Sequence, residues 1–148
     1  MYIEYLNTLP EIPLELLDNT SNIIDLDKQP TAMGANNPRF QTRIPNAKLI
    51  AWLAEHFKFP FKCQYQIISP EIRIHKDKGR NFAYNYILEQ GGDKVVTAVY
   101  DEDQTTVLQS EIVPLYKWHR LDVSKFHGVH NIDHDKLRYS LSVFPRNN

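Results

Sequence analysis

The spacing of apolar residues divides the chain into two parts near residue 61. Residues 1–45 contain five prolines separated by polar stretches, and proline at this density disfavours long helices and central strands. We predict a largely irregular segment with a short helix at 13–17 and a short strand at 23–26. Asn46 is then placed to cap a helix that ends near Phe57, because the apolar residues from Leu49 onward recur at three-to-four spacing.

From residue 62 onward, short runs of β-branched and aromatic residues alternate with turn sequences such as Gly91-Gly92-Asp93. Eight strands at intervals of roughly 8–12 residues indicate a sandwich or a barrel rather than alternating strands and helices. The prediction is a mainly β fold with one or two N-terminal helices. The predicted strands are 64–68, 71–75, 83–88, 95–100, 106–111, 116–122, 127–132 and 138–144.

The 148 residues suffice for one domain with its own core, which we divide into an irregular and helical part at 1–61 and a β core at 62–144. The formal net charge of −1 provides no large basic surface, so neither nucleic acid nor an anionic membrane is an expected partner. Cys63 is the single cysteine, which excludes an intramolecular disulfide and fits a reducing cytoplasm. Oligomeric state is not predicted.

His75 and Asp77 form an H-x-D pair at the end of a predicted strand. Positions i and i+2 of a strand share a face, so both side chains can reach one ion. A third ligand from a later strand would complete a set of two histidines and one carboxylate, which leaves coordination positions open and suits iron(II) for oxygen chemistry. His127 is the favoured third ligand, and His130, on the opposite strand face, is the alternative.

Arg138 and Ser140 follow in an R-x-S pattern eleven residues after His127. A guanidinium offers a planar fork for a carboxylate, and a hydroxyl two positions along the strand points the same way. Binding of 2-oxoglutarate requires a metal at the keto acid end and an arginine at the other end.

Residues 62–144 resemble the 2-oxoglutarate- and iron(II)-dependent oxygenases, nearest to the small prolyl-hydroxylase-like and aspartyl/asparaginyl-hydroxylase-like members. The resemblance depends on the motifs at His75-Lys76-Asp77, the segment 80–86, Trp118 near Leu121, His127-Gly128-Val129 and Arg138-Tyr139-Ser140. It implies a double-stranded β-helix, a jelly-roll barrel of the cupin type, with the metal at its open mouth.

The resemblance also implies roles for individual residues. His75, Asp77 and His127 match the iron ligands, while Arg138 and Ser140 match the residues that hold the distal carboxylate of 2-oxoglutarate. Further contacts to this co-substrate are expected from Tyr65 and from Asn85, Tyr84 or Tyr86, with the inward-facing residue left open. The implied reaction hydroxylates a C–H bond of a peptidyl side chain or a small metabolite, with succinate as co-product and ascorbate as a stimulant.

Other interpretations remain for the fold and for single residues. The chain could be a cupin-type metal-binding protein without 2-oxoglutarate chemistry, or a non-catalytic β-barrel binding module. Arg80 could contact the co-substrate or a substrate carboxylate, or be a solvated loop charge. His119 and His134 are predicted to lie at the surface or in turns.

Overall fold

The computed structural model describes residues 1–19, 41–68 and 72–146, so the strand predicted at 23–26 lies outside the described residues. Within these ranges the chain forms one α-helix, one turn of 3-10 helix and ten strands. The helix α1 is Ala47–His56 and the 3-10 turn is Leu14–Leu16. The strands are β1 Ile3–Tyr5, β2 Gln41–Arg43, β3 Phe61–Ile68, β4 Ile72–His75, β5 Phe82–Glu89, β6 Val96–Tyr100, β7 Val107–Glu111, β8 His119–Asp122, β9 Phe126–His130 and β10 Arg138–Pro145.

Helix α1 begins and ends where its sequence predicts. The Asn46 side chain accepts a hydrogen bond from the Leu49 N–H at 2.9 Å, which satisfies one of the free donors of the first turn. Leu49 and Leu53 are fully buried, as their four-residue spacing requires of one helix face. The 3-10 turn lies within the predicted short helix at 13–17.

Strands β3 to β10 pair as a nested series. The antiparallel pairs are β3 with β10, β4 with β9, β5 with β8 and β6 with β7, so the segment is one long hairpin wound back on itself. Successive strands fall into two sheets, of order β1-β8-β5-β10-β3-β2 and β4-β9-β6-β7. This topology is the expected double-stranded β-helix, and the mainly β prediction is confirmed.

The two outermost strands of the larger sheet come from the segment predicted to be irregular. Strand β1 pairs with β8, and β2 pairs with β3. Both strands have three residues, which is too few for an alternating pattern to be recognised. Both are extended because they pair with a strand at the edge of the sheet. The strand predicted to begin at residue 116 begins instead at His119, because Tyr116 has φ +57° and belongs to the preceding turn.

The main core lies between helix α1 and the outer face of the six-stranded sheet. Its sheet residues Tyr65, Tyr86 and Leu141 pack there with Leu49 and Leu53 of the helix. Smaller apolar clusters lie between the sheets and leave a cavity of about 220 Å³. None of the helices in the described residues is long and apolar enough to cross a membrane.

Candidate metal centre

Two neighbouring strands of the smaller sheet bring His75 and His127 together. His75 ends β4, and its Cα is the register partner of His127 on β9, which places the ring centroids 4.3 Å apart. Asp77 follows the strand and is held by its own backbone, whose N–H donates to the Val123 carbonyl at 3.0 Å. The three side chains predicted to meet therefore do meet, at one end of the cavity.

The donor atoms of this triad converge on one point. The Nε2 atoms of His75 and His127 lie 3.2 Å and 3.4 Å from Oδ1 of Asp77, and one ligand atom from each residue falls within 4.8 Å of the others. Two imidazoles and one carboxylate form the donor set that suits a divalent transition metal.

The other ring nitrogens fix the tautomers of both histidines. Nδ1 of His75 lies 2.6 Å from the Arg73 carbonyl, and Nδ1 of His127 lies 2.8 Å from the Lys125 carbonyl. A carbonyl accepts only from an N–H, so Nδ1 carries the proton and a neutral ring directs the Nε2 lone pair towards Asp77. Such backbone partners orient metal-binding histidines in proteins.

The triad therefore requires positive charge at its centre, because lone pairs of neutral imidazoles would otherwise face a carboxylate oxygen. Burial lowers the pKa of His75, but the hydrogen bonds to Asp77 and to the Arg73 carbonyl, together with the negative charge of Asp77, outweigh burial and leave the pKa raised. Burial alone would raise the pKa of the Asp77 carboxyl, yet hydrogen bonds from His127 and His75 hold it well below its usual range. Protons can supply this charge, and so can a bound cation. The donor set thus fits a metal ion.

Arg80 occupies the mouth beside the triad. Its Nη1 lies 3.6 Å from Oδ2 of Asp77, the carboxylate oxygen that faces away from the imidazoles. The guanidinium also stacks on the Phe144 ring at 3.7 Å. These two contacts orient Arg80, which lines the cavity rather than extending from a solvated loop.

Arg138 lines the same cavity and is 4% exposed. Its Nη1 donates to the carbonyl and side-chain oxygens of Gln90 at 3.3 Å and 3.1 Å, and its Nη2 donates to Oγ1 of Thr97 at 3.4 Å. Burial lowers its pKa to about 10, so the guanidinium stays charged at neutral pH. No carboxylate among the described residues forms an ion pair with it, and a buried cation without an acid is costly unless an anion binds.

The remaining predicted contacts divide between the two faces of the larger sheet. Ser140 and Asn85 line the cavity. Tyr65, Tyr84 and Tyr86 do not, which corrects the expectation that they contact a co-substrate. Alternation along β3 and β5 turns all three towards helix α1, and the hydroxyls of Tyr65 and Tyr86 bond to Asp18 and to the Ile12 N–H.

His130 is not part of the triad, since its Nε2 pairs with the Tyr100 hydroxyl at 2.7 Å. His119, predicted to lie at the surface or in a turn, is instead 2% exposed and lines the cavity. The sequence could have indicated this burial, because His119 lies two residues before the apolar Leu121 and therefore on the same face of one short strand. His134 is exposed, as predicted.

No family model and no curated protein matches the chain. A structure of Bacillus subtilis oxalate decarboxylase, a protein with Mn(II) centres, matches with a TM-score of 0.51 at 13% identity, covering 83% of this chain and 29% of that chain. A Burkholderia pseudomallei oxidoreductase of the 2OG-Fe(II) oxygenase family matches with a TM-score of 0.48 at 15% identity, covering 67% of this chain and 51% of that chain.

The chain thus spans less than a third of the length of the first of these structures and about half of the second. At such identities the likeness concerns the fold alone, which is that of the cupin-type double-stranded β-helix. To this fold the chain adds a cluster of two histidines and an aspartate that could hold a metal.

Proposed function

We propose that this protein is a 2-oxoglutarate- and iron(II)-dependent oxygenase that hydroxylates a C–H bond of a peptidyl side chain or a small metabolite. One observation carries the proposal. The cavity with the His75, Asp77 and His127 triad also contains Arg138, a buried guanidinium without an acidic partner among the described residues. A dicarboxylate that binds a metal at one end and this cation at the other satisfies both.

In this proposal His75, Asp77 and His127 hold iron(II), with the two imidazoles presented by adjacent strands in register. Arg138 binds the distal carboxylate of 2-oxoglutarate through the donors that Gln90 and Thr97 do not engage, and a bidentate pair is the favoured geometry for such a contact. Ser140, on the same face two residues along β10, would donate its hydroxyl to the same carboxylate.

When bound, the iron and 2-oxoglutarate would supply the oxidant together with dioxygen, one oxygen atom entering the hydroxylated product and the other the succinate that forms as carbon dioxide leaves. The chain's own residues bind and orient. The backbone carbonyls of Arg73 and Lys125 keep the imidazoles in the metal-binding tautomer, and Arg80 restrains Asp77 from its outer side. The cavity, about 220 Å³, suits a small acid and limits the water around it.

The second candidate is a cupin-type metal enzyme that acts on a different carboxylic acid. The observation in its favour is that Arg138 and the triad define two anchors for an anion without requiring a keto group. A shorter or longer acid could use the same pair. A module that binds metal and an anion without turnover is the non-catalytic form of this candidate.

Succinate release separates these candidates. The purified protein is loaded anaerobically with iron(II), then given 2-oxoglutarate, ascorbate and oxygen, and succinate is measured by mass spectrometry. We expect turnover even without a prime substrate, because uncoupled oxidation needs only the two anchors. A parallel reaction contains manganese(II) and oxalate, with formate as the readout.

The variant Arg138→Lys separates the charge of this residue from its geometry, since it keeps the positive charge and removes the planar guanidinium. It should retain iron and lose most of the affinity for 2-oxoglutarate. If iron-loaded wild-type protein neither binds 2-oxoglutarate nor releases succinate, the oxygenase proposal is wrong. Formate from oxalate under the same conditions would favour the second candidate.

A further inference from the structure

The wall of the cavity opposite the metal triad carries an uncharged row of polar side chains. We call Gln64, Ser142, Asn85 and His119 the polar row. In the register of the six-stranded sheet Ser142 is paired with both Gln64 and Asn85, and Asn85 is paired with His119. Cross-strand partners share a face, and all four residues line the cavity. The row crosses four strands and so extends over about 14 Å.

These side chains have almost no partners of their own. Within residues 1–19, 41–68 and 72–146, the side chains of Gln64, Ser142 and Asn85 make no hydrogen bond to another residue. Among the fully buried side-chain polar atoms in these ranges, the Tyr139 hydroxyl is the one without a hydrogen-bond partner. The unpartnered polar atoms of the row are therefore not fully enclosed by protein, and they border the cavity. A polar group in the interior is destabilising unless water or a ligand satisfies it.

His119 adds a direction to this row. Its Nδ1 lies 3.4 Å from the Lys117 carbonyl, its one hydrogen-bond partner among the described residues, which makes Nδ1 the protonated nitrogen. Burial and the nearby Arg138 cation keep the ring neutral, since they lower its pKa to about 4 despite the Lys117 carbonyl. Nε2 is then an acceptor, and an acceptor in a cavity requires an O–H or N–H donor from whatever binds there.

We propose that the polar row is a subsite for an uncharged hydroxyl or amide group of a second ligand, separate from the anion site at Arg138. The second ligand is then the compound that the oxygenase oxidises, and this identification rests on the proposed function. A carboxylate is disfavoured at His119 because it has no donor for the Nε2 lone pair.

The first test measures whether the row opposes stability, as an unoccupied ligand site does. Asn85→Leu and Ser142→Ala remove polar atoms that lack partners, so we expect the melting temperature to rise by about 2–4 °C for Asn85→Leu and by less for Ser142→Ala. Thr97→Val is the matched control, because Thr97 faces the same cavity but accepts a hydrogen bond from Arg138. It should lower the melting temperature. A fall or no change for both row variants would mean that the row is structural.

The second test identifies the ligand group with isosteric probes. Protein with ¹⁵N-labelled histidine is loaded with zinc(II) and titrated with threonine against valine and with glutamine against glutamate, each with and without 2-oxoglutarate. We expect the His119 Nε2 resonance to move with threonine, which indicates a hydroxyl ligand, or with glutamine, which indicates an amide. Valine should have little effect, as should glutamate when 2-oxoglutarate occupies the anion site, and the signal of His56 on helix α1 should not move.

Equal responses to both members of each pair would overturn the subsite. So would the absence of any His119 response at a probe concentration of about 10 mM, at which a ligand with a Kd of about 1 mM would occupy most sites. The arm without 2-oxoglutarate keeps this result separate from the fate of the proposed function. A His119 response that persists there supports the subsite even if 2-oxoglutarate itself does not bind.

Discussion

Along strand β10 the two faces of the six-stranded sheet have opposite character, although the same strand builds both. On β10 the outward residues Tyr139, Leu141 and Val143 pack in the core beside helix α1. The inward residues Arg138, Ser140 and Ser142 line the cavity. Both faces of β10 are buried. Its apolar side chains point out of the barrel and its polar side chains point into it, which is the reverse of the usual alternation.

The polar atoms of the two faces differ in the same way. On the outer face the Tyr65 hydroxyl donates to Asp18 at 2.7 Å, and the Tyr86 hydroxyl accepts from the Ile12 N–H at 3.2 Å. On the inner face the polar row has almost no such partners within the described residues. We infer that the apolar residues of both faces supply stability, while the polar residues of the inner face are available for ligands. The four predictions below test this division.

The largest effect is expected at the triad. His75→Ala removes one of three ligands and leaves Asp77 with a single imidazole partner, so metal binding and succinate release should both be abolished. Metal content after reconstitution is measured by mass spectrometry, and His134→Ala, at an exposed position, is the control. Full metal content together with activity in His75→Ala would remove the triad from the mechanism.

On the outer face, Leu141→Ala should lower the free energy of unfolding by about 2–5 kcal/mol, because Leu141 is fully buried beside helix α1. Turnover per folded molecule should change little, since the side chain faces away from the cavity. Denaturant unfolding followed by circular dichroism measures the first quantity. A large loss of turnover with intact stability would contradict the division between the faces.

On the inner face, Arg138→Met should weaken 2-oxoglutarate binding by about 1.5–3 kcal/mol, or roughly 10- to 150-fold, through loss of charged hydrogen bonds. Metal affinity should be unchanged, and stability should not fall, because a buried cation without an acid is replaced by an apolar chain of similar length. Calorimetric titration of the metal-loaded protein measures both affinities. Unaltered affinity for 2-oxoglutarate would exclude Arg138 as its anchor.

The smallest effect concerns pH. Burial lowers the pKa of His119 to about 4 in the folded protein from 6.5 in the unfolded chain. The unfolded chain therefore binds more protons between these values, so stability rises with pH there and falls on acidification. We expect His119 to account for a loss of about 1.5 kcal/mol between pH 6.5 and pH 5. His119→Phe should remove this component, and identical pH profiles for the two proteins would show that His119 is not held neutral.

The elements with strong local signals could be predicted. Asn46 and the apolar spacing that follows it define α1, and all eight core strands occur close to their predicted positions. The strands β1 and β2 could not be predicted, because a three-residue strand depends on the edge that it joins rather than on its own residues. The meeting of His75, Asp77 and His127 follows from the motifs, although their donor geometry depends on the strand register.

What the sequence determined by itself is the set of side chains available for chemistry and the strands that carry them. Period-two alternation assigns Arg138, Ser140 and Ser142 to one face and Tyr139, Leu141 and Val143 to the other. It does not say which face turns inward, since a strand buried on both sides has no solvent side to identify. The tertiary structure decides this, because helix α1 covers the outer face of the sheet. Tyr65, Tyr84 and Tyr86 consequently point away from the cavity, and His119 points into it.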